Sequence, residues 1–254
     1  MRSFQSRAVL DETPSFFLVF GLLILAGCRK DEPKAEAGLT GDYLLGNVVA
    51  TAPIVMYTQG GPITNQALID RFLARQSVTP SMFSRTDAPV PNGASFALRI
   101  EANKQARLTS TSPGSRDTVT MDITSQQPTY VVLARRDSAT TSTSSSGLVL
   151  TPSRCETLGE QMAVENPVKH CKTTLPAAGI STRCRFRPLY LLKINAGQLQ
   201  VPQLSWSLAS SRANSSCGSG FGNGWNLFNQ GVVTQLAAGD TVVVQERSIA
   251  LLKK

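Results

Sequence analysis

The sequence predicts a mainly β protein: an antiparallel meander forming a barrel or sandwich, with one or two helices packed on it. Three observations carry this. In 95–101, Phe96, Leu98 and Ile100 alternate with Ala97, Arg99 and Glu101; in 117–124, Val119, Met121 and Ile123 alternate with Thr118, Thr120, Asp122 and Thr124. That period of two marks half-buried strands. Short turn signals then separate the strands, Ser112-Pro113-Gly114-Ser115 and Asn195-Ala196-Gly197 among them, and short links favour antiparallel neighbours. Finally, Thr241–Leu252 is dense in Val and reads as a last strand buried on much of both faces.

The elements follow in order. Gly38-Leu39-Thr40-Gly41-Asp42-Tyr43-Leu44-Leu45, continuing to Met56-Tyr57-Thr58, reads as a first strand, and Gly60-Gly61-Pro62 as a turn. Residues 64–75 read as a helix. Thr64 can cap it, Leu68, Ile69, Phe72 and Leu73 share a face, and Asp70, Arg71 and Arg75 lie away from it. This helix should pack Leu68, Phe72 and Leu73 on the sheet or across a barrel mouth. The space beneath it would then be a ligand site.

The two alternating segments make Phe96, Leu98, Ile100, Val119, Met121 and Ile123 core residues of one sheet, with Gln105–Ser110 between them and Tyr130–Arg136 after them. Residues 138–147 are Ser/Thr-rich and read as a loop. A strand at Gly147–Thr151 and a short helix around 156–165 follow, and 166–183 reads as irregular. Leu189–Ile194 and Gln198–Leu208 flank the Asn195-Ala196-Gly197 turn. In the second of these, Leu199 and Val201 share one parity, and Leu204, Trp206 and Leu208 the other. A bulge at Pro202 would bring both sets to one face. Gly218–Gly224 reads as a flexible loop, and about eight to ten strands are expected in all.

Apart from Cys28 there are four cysteines, Cys155, Cys171, Cys184 and Cys217, all in the C-terminal half. An even count suits disulfides in an exported chain. Four cysteines allow three connectivities; Cys155–Cys171 with Cys184–Cys217 is the favoured one. Zinc, with His170 as an extra ligand, is the alternative, although the spacings are long for a structural zinc site. No metal or other cofactor is expected.

The formal net charge is +8. Much of the excess lies in Lys169, Lys172, Arg183, Arg185 and Arg187, a stretch without Asp or Glu. Such a patch suits anionic sugars or lipid headgroups, and its bland reading is a solvated positive face. Trp225, next to Asn223 and Asn226, is a candidate stacking residue for a sugar, with a core position as its leading reading.

A catalytic constellation is hard to assemble. His170 is the only histidine and has no nearby Asp in sequence. Asp42, Asp70, Glu101 and Asp122 would have to meet in space to act as paired carboxylates. The spaced glycines of 218–224 lack the setting of a dinucleotide loop. The chain is therefore read as non-enzymatic.

The N-terminus supplies the most specific motif. An apolar run, Phe16 to Ile24, is closed by Leu25-Ala26-Gly27-Cys28 and followed at once by Arg29-Lys30-Asp31-Glu32. The run is shorter than a membrane span and long enough for a signal core. The motif resembles the lipobox of bacterial lipoproteins. That resemblance implies a signal peptide over 1–27, lipid (diacylglyceryl and palmitate) on Cys28, a polar tether over 28–38, and an envelope location at the outer membrane. Lys30-Asp31-Glu32 is similar to a signal for the outer face of the cell. Residues 39–254 then form a single β-rich domain with a cysteine-containing insert at about 152–184. Asp137-Ser138-Ala139 resembles O-glycosylation sites of exported bacterial proteins, which makes Ser138 a candidate.

Leu39-Thr40-Gly41-Asp42-Tyr43 is similar to the opening of a lipocalin, with Tyr43 where Trp is usual. The resemblance implies an up-and-down barrel around a cavity for a small apolar ligand. The expected function is that of a lipid-anchored envelope protein that binds a small apolar or polymeric anionic ligand. Its partners would be the membrane, through the lipid, and such a ligand; nucleic acid is not expected. The alternative is a structural or assembly lipoprotein acting through protein contacts.

Overall fold

The computed structural model describes residues 38–76, 82–90, 95–112, 114–145, 154–174, 180–210, 215–221 and 225–254. The expected leader, Cys28, nearly all of the tether and the Gly147–Thr151 strand lie outside them. The described strands are β1 (Gly41–Thr51), β2 (Val55–Thr58), β3 (Gly61–Ile63), β4 (Ala88–Pro89), β5 (Ser95–Ile100), β6 (Gln105–Ser112), β7 (Ser115–Gln126), β8 (Tyr130–Arg135), β9 (Ala139–Ser145), β10 (His170–Thr174), β11 (Ile180–Phe186), β12 (Leu189–Asn195), β13 (Gln198–Ser210), β14 (Ser215–Phe221) and β15 (Asp240–Lys253). The helices are α1 (Gln66–Arg75), α2 (Arg154–Glu160) and a 3-10 segment, Gln230–Gln235. The strands outnumber the eight to ten expected, because polar segments read as loops are paired.

Eight strands close an antiparallel barrel, lipocalin-like in its strand number and closure. Hydrogen bonding runs β13-β12-β8-β7-β6-β5-β1-β15, and β15 pairs back onto β13. Alternation puts Leu98, Ile100, Met121, Val131, Leu133, Leu192, Leu199, Val201, Ile249 and Leu251 inside, with Phe96, Val119 and Ile123 packed against them. Of the six core positions expected at 95–101 and 117–124, Leu98, Ile100 and Met121 are buried, and so is Ala106 opposite Met121.

The middle of the barrel is close-packed. Leu98, Ala106, Met121, Val131, Leu133 and Leu192 each have 0% exposure, so no water-sized space opens among them. Tyr43 closes one end: its hydroxyl donates to the Leu39 carbonyl at 2.7 Å, and burial pushes the phenol pKa up.

The two ends of the barrel differ. At one end the connections are tight turns: residues 101–104, 127–129 and 196–197. Ala196 and Gly197 both have positive φ, 48° and 77°, the geometry of a type I′ hairpin. At the other end, three of the connections are insertions, carrying β2 to β4 with α1, β9 to β11 with α2, and β14 with the 3-10 segment.

Strands β13 and β15 outrun the barrel at this elaborated end and continue as a sheet with β14, β2 and β3. Their register is unbroken from Gln200↔Ala250 to Ser210↔Asp240. The bulge expected at Pro202 is therefore absent from this pairing. The parity switch has a different cause: the strand changes cores. Leu199 and Val201 face the barrel. On the opposite face, Leu204 and Leu208 pack with Val242, Val244, Leu158 and Met162 around α2, and with Phe228, Val232 and Leu236. The real irregularity is in β1, whose register against β15 shifts between Leu45 and Val49. Gly46 sits there because a Cβ would lie 3.0 Å from the Ala250 carbonyl oxygen.

Helix α1 begins one residue later than expected. Asn65, not Thr64, caps it, accepting from the Leu68 amide at 3.3 Å. Ile69 is buried against Ile54, Met56 and Val243, with Phe72 and Leu73 beside it. Leu68 lies at the edge of this stripe and is 45% exposed, contrary to expectation. The helix rests on the sheet extension. Below it, Gln245 binds the backbone of Ser84 and Ala52, so the segment Met82–Val90 fills the space where a ligand was expected.

Candidate functional site

The strongest chemical asymmetry lies in the insertion between β8 and β12. Residues 138–147 were expected to be a loop and 166–183 irregular, but β9, β10 and β11 form a three-stranded antiparallel sheet, ordered β10-β11-β9. Thr and Ser favour the extended backbone. Because both faces are polar, the segments show no apolar alternation. Residues 218–221, also expected to be a loop, have the backbone of β14.

The cysteines pin this sheet. Cys171 and Cys184 stand directly opposite each other and form a disulfide. The favoured pairing, Cys155–Cys171 with Cys184–Cys217, is thereby corrected: strand register, not distance along the chain, brings the sulfurs together. Zinc at Cys171 with His170 falls with it, because both sulfurs are committed to each other. The side chains of Cys155 and Cys217 lie outside the described ones.

Register decides which charges share a face. His170 pairs with Arg185, and Lys172 with Arg183, one pair two residues along from the other. All four side chains therefore project from one face, opposite the disulfide. On β9, Thr140 stands across from Arg185 and Ser142 across from Arg183. The result is a shelf with three cations and a fringe of hydroxyls. None of the three strands contains an acidic residue. Among the described residues no carboxylate pairs with Lys172, Arg183 or Arg185, all of which are exposed.

The other two basic residues of the stretch are already engaged. Lys169 pairs with Glu160 at 3.1 Å. Arg187 binds Asp122 at 3.1 Å and donates to the Arg135 carbonyl. Hydrogen bonds from Arg136 and Arg187 hold the Asp122 carboxyl below its ordinary value. The basic stretch is thus divided: three residues free to meet an anion and two built into the surface.

Two clefts meet at the shelf. One, of about 880 Å³, is lined by Lys169, His170, Lys172, Arg183 and Arg185 with Ser138 and Thr140. The second, of about 780 Å³, runs between the segment Glu165–Val168 and the outer barrel wall. Glu165 accepts a hydrogen bond from the Tyr130 hydroxyl at 3.4 Å, and burial together with that carboxylate pushes the phenol pKa up. Ser138 is exposed and lines both clefts, which keeps the candidate modification site accessible.

Trp225 lies elsewhere. It stacks on Phe96 at 5.0 Å and meets Tyr190 edge-on at 5.3 Å. These contacts pack it against the barrel core at the elaborated end, so it does not join the cationic shelf. The four carboxylates considered for paired catalysis do not pool either. Asp42 faces Arg99, Asp70 Arg85, Glu101 Arg107, and Asp122 Arg136 with Arg187. No described group of three His, Cys, Asp or Glu residues gathers as metal ligands.

Comparison with known proteins adds no relative: the chain matches no family model, no curated protein and no solved structure.

Proposed function

We propose that the chain is a lipid-anchored envelope protein that presents its cationic shelf to an anionic polymer, such as an acidic polysaccharide. The observation that carries this reading is the cluster of Lys172, Arg183 and Arg185 on one face, unopposed by any described carboxylate and fringed with hydroxyls. Neighbouring like charges on adjacent strands destabilise a sheet, and a disulfide that clamps two of those strands offsets the repulsion. A polyanion would relieve it, and Ser and Thr hydroxyls would bond its sugar oxygens. The Cys28 lipid would hold the protein at the membrane through the tether.

The test is polyanion binding by the purified protein, with heparin as probe and dextran as neutral control. Heparin should bind with an affinity that falls steeply with salt, because each neutralised anionic group releases counterions. Lys172→Gln/Arg183→Gln/Arg185→Gln should abolish binding and leave the fold intact. Equal binding by this variant refutes the reading.

The assembly reading has one observation in its favour. Leu44 and Leu252 are paired across the outer barrel wall and are 41% and 51% exposed, with Val48 further along β1. Cross-linking in intact cells would give a discrete adduct lost in Leu44→Lys/Leu252→Lys.

A further inference from the structure

The second cleft differs from the shelf it adjoins. Most of its exposed surface is apolar, from Ala134 and Leu189 on the outer barrel wall, Phe186 on β11, and Pro167 and Val168 in the segment that precedes β10, while Thr124, Glu165 and Asn166 also line it. Val168 is 75% exposed, more than any other large apolar side chain described. The volume of about 780 Å³ falls within the range of small-molecule pockets. The shelf alone accounts for binding of an anionic polymer; the trough beside it adds an apolar surface that a ligand with both anionic and apolar parts would use.

The two spaces are one site by construction. Ser138, His170 and Arg185 line both. Arg187, also on the trough, is held by Asp122, so Arg185 is the free cation at the junction. A molecule lying across the junction would place apolar groups against Val168, Phe186 and Leu189 and negative charge against Arg185, Lys172 and Arg183.

We propose that trough and shelf together bind an anionic amphiphile: an acyl chain in the trough, and a phosphate or carboxylate headgroup on the shelf. This rests on the reading of the shelf as an anion site and names the ligand class that its surroundings select. Burial of the chain supplies affinity, because apolar area leaves water. The cations supply selection for the headgroup.

The experiment uses the full chain held in an uncharged maltoside detergent. Its probes are dodecyl phosphate, inorganic phosphate and heparin. Dodecyl phosphate should bind at least ten-fold tighter than inorganic phosphate. Val168→Asn changes no charge and sits on an exposed side chain; it should weaken dodecyl phosphate by about five- to ten-fold and leave heparin binding unchanged. Lys172→Gln/Arg183→Gln/Arg185→Gln should weaken both. Heparin binding without any preference for dodecyl phosphate over inorganic phosphate overturns the amphiphile site and leaves the anion site standing, as does an unchanged Val168→Asn variant. Failure of heparin and dodecyl phosphate alike overturns both.

Discussion

Arg154, at the start of α2, reaches the carboxylate of Asp240 at the start of β15, Nη2 to Oδ2 at 2.6 Å, and the Asp240 side chain is wholly buried. The same carboxylate accepts from the Ser210 hydroxyl at 2.6 Å and from the Ala237 amide at 2.9 Å. Arg154 also donates to the Gln235 carbonyl. One buried charge thus ties α2, the end of β13 and the exit of the 3-10 segment to β15.

Asp240→Ala should lower stability by about 3 kcal/mol, because it leaves Ser210 and Arg154 without their partner. Urea unfolding followed by circular dichroism checks this. A loss below about 1 kcal/mol would show that solvent replaces the carboxylate freely.

The same group sets an acid limit. Burial favours its neutral form, but hydrogen bonds from Arg154, Ser210 and Ala237 outweigh that and hold the carboxyl below its ordinary 3.8. When a folded-state value is depressed, the unfolded chain takes up the proton first as pH falls. The stabilisation is complete above the unfolded value and is lost as pH falls through the folded one. Tm should therefore drop below about pH 4, and drop less steeply in Asp240→Asn. Parallel profiles for parent and variant would contradict this.

Gln245 closes the elaborated end of the barrel. It is 1% exposed, accepts from the Ser84 amide at 2.8 Å and donates to the carbonyls of Ala52 and Ser84. Gln245→Leu keeps the bulk and removes the bonds. The variant should lose roughly 2–3 kcal/mol, since buried backbone groups are left unpaired, and hydrogen exchange at the Ser84 amide should quicken. Unchanged exchange there would show that the segment Met82–Val90 is held by other contacts.

Two disulfides are expected in the mature protein. Cys171–Cys184 is one. The remaining cysteines belong to α2 and β14, elements that pack together, so the expected second link is Cys155–Cys217. Peptide mapping without reductant should find both links. Breaking Cys171–Cys184, which spans 13 residues, should cost about 3 kcal/mol and loosen the shelf. Four free thiols or stoichiometric zinc would overturn the expectation.

Cys28→Ser should abolish lipid attachment and shift the protein out of the detergent-rich phase, as read by phase partition and fatty-acid labelling. Unaltered partition and labelling would remove the anchor from the proposed function.

What could be read from the chain was whatever one core face dictates. Leu98 and Met121 were legible as interior residues because their strands bury one side throughout. The turn after Asn195 was legible because Gly197 suits the positive φ it takes there, whereas Ala196 takes its positive φ without any such signal. Leu204 and Leu208 were misassigned because no local signal says that a strand has left one core for another. The site was half legible. Its cations showed as a run without acids, but which were spent on Asp122 and Glu160 depended on the fold. Val168 gave no signal at all, since an isolated valine in a polar stretch has no period to betray it.

The place of β1 in the barrel has a mechanical consequence. The chain enters at Leu39, at the end of the tight turns, and β1 is bonded to β5 on one side and β15 on the other. A pull on the N-terminus therefore runs along the strand axis and loads both ladders in shear, with the hydrogen bonds lying across the force. Many bonds must yield together, whereas a strand peeled from a free edge gives way one bond at a time. Were the chain anchored through Cys28 as proposed, the domain would be suited to bear load at its far end, where the insertions are.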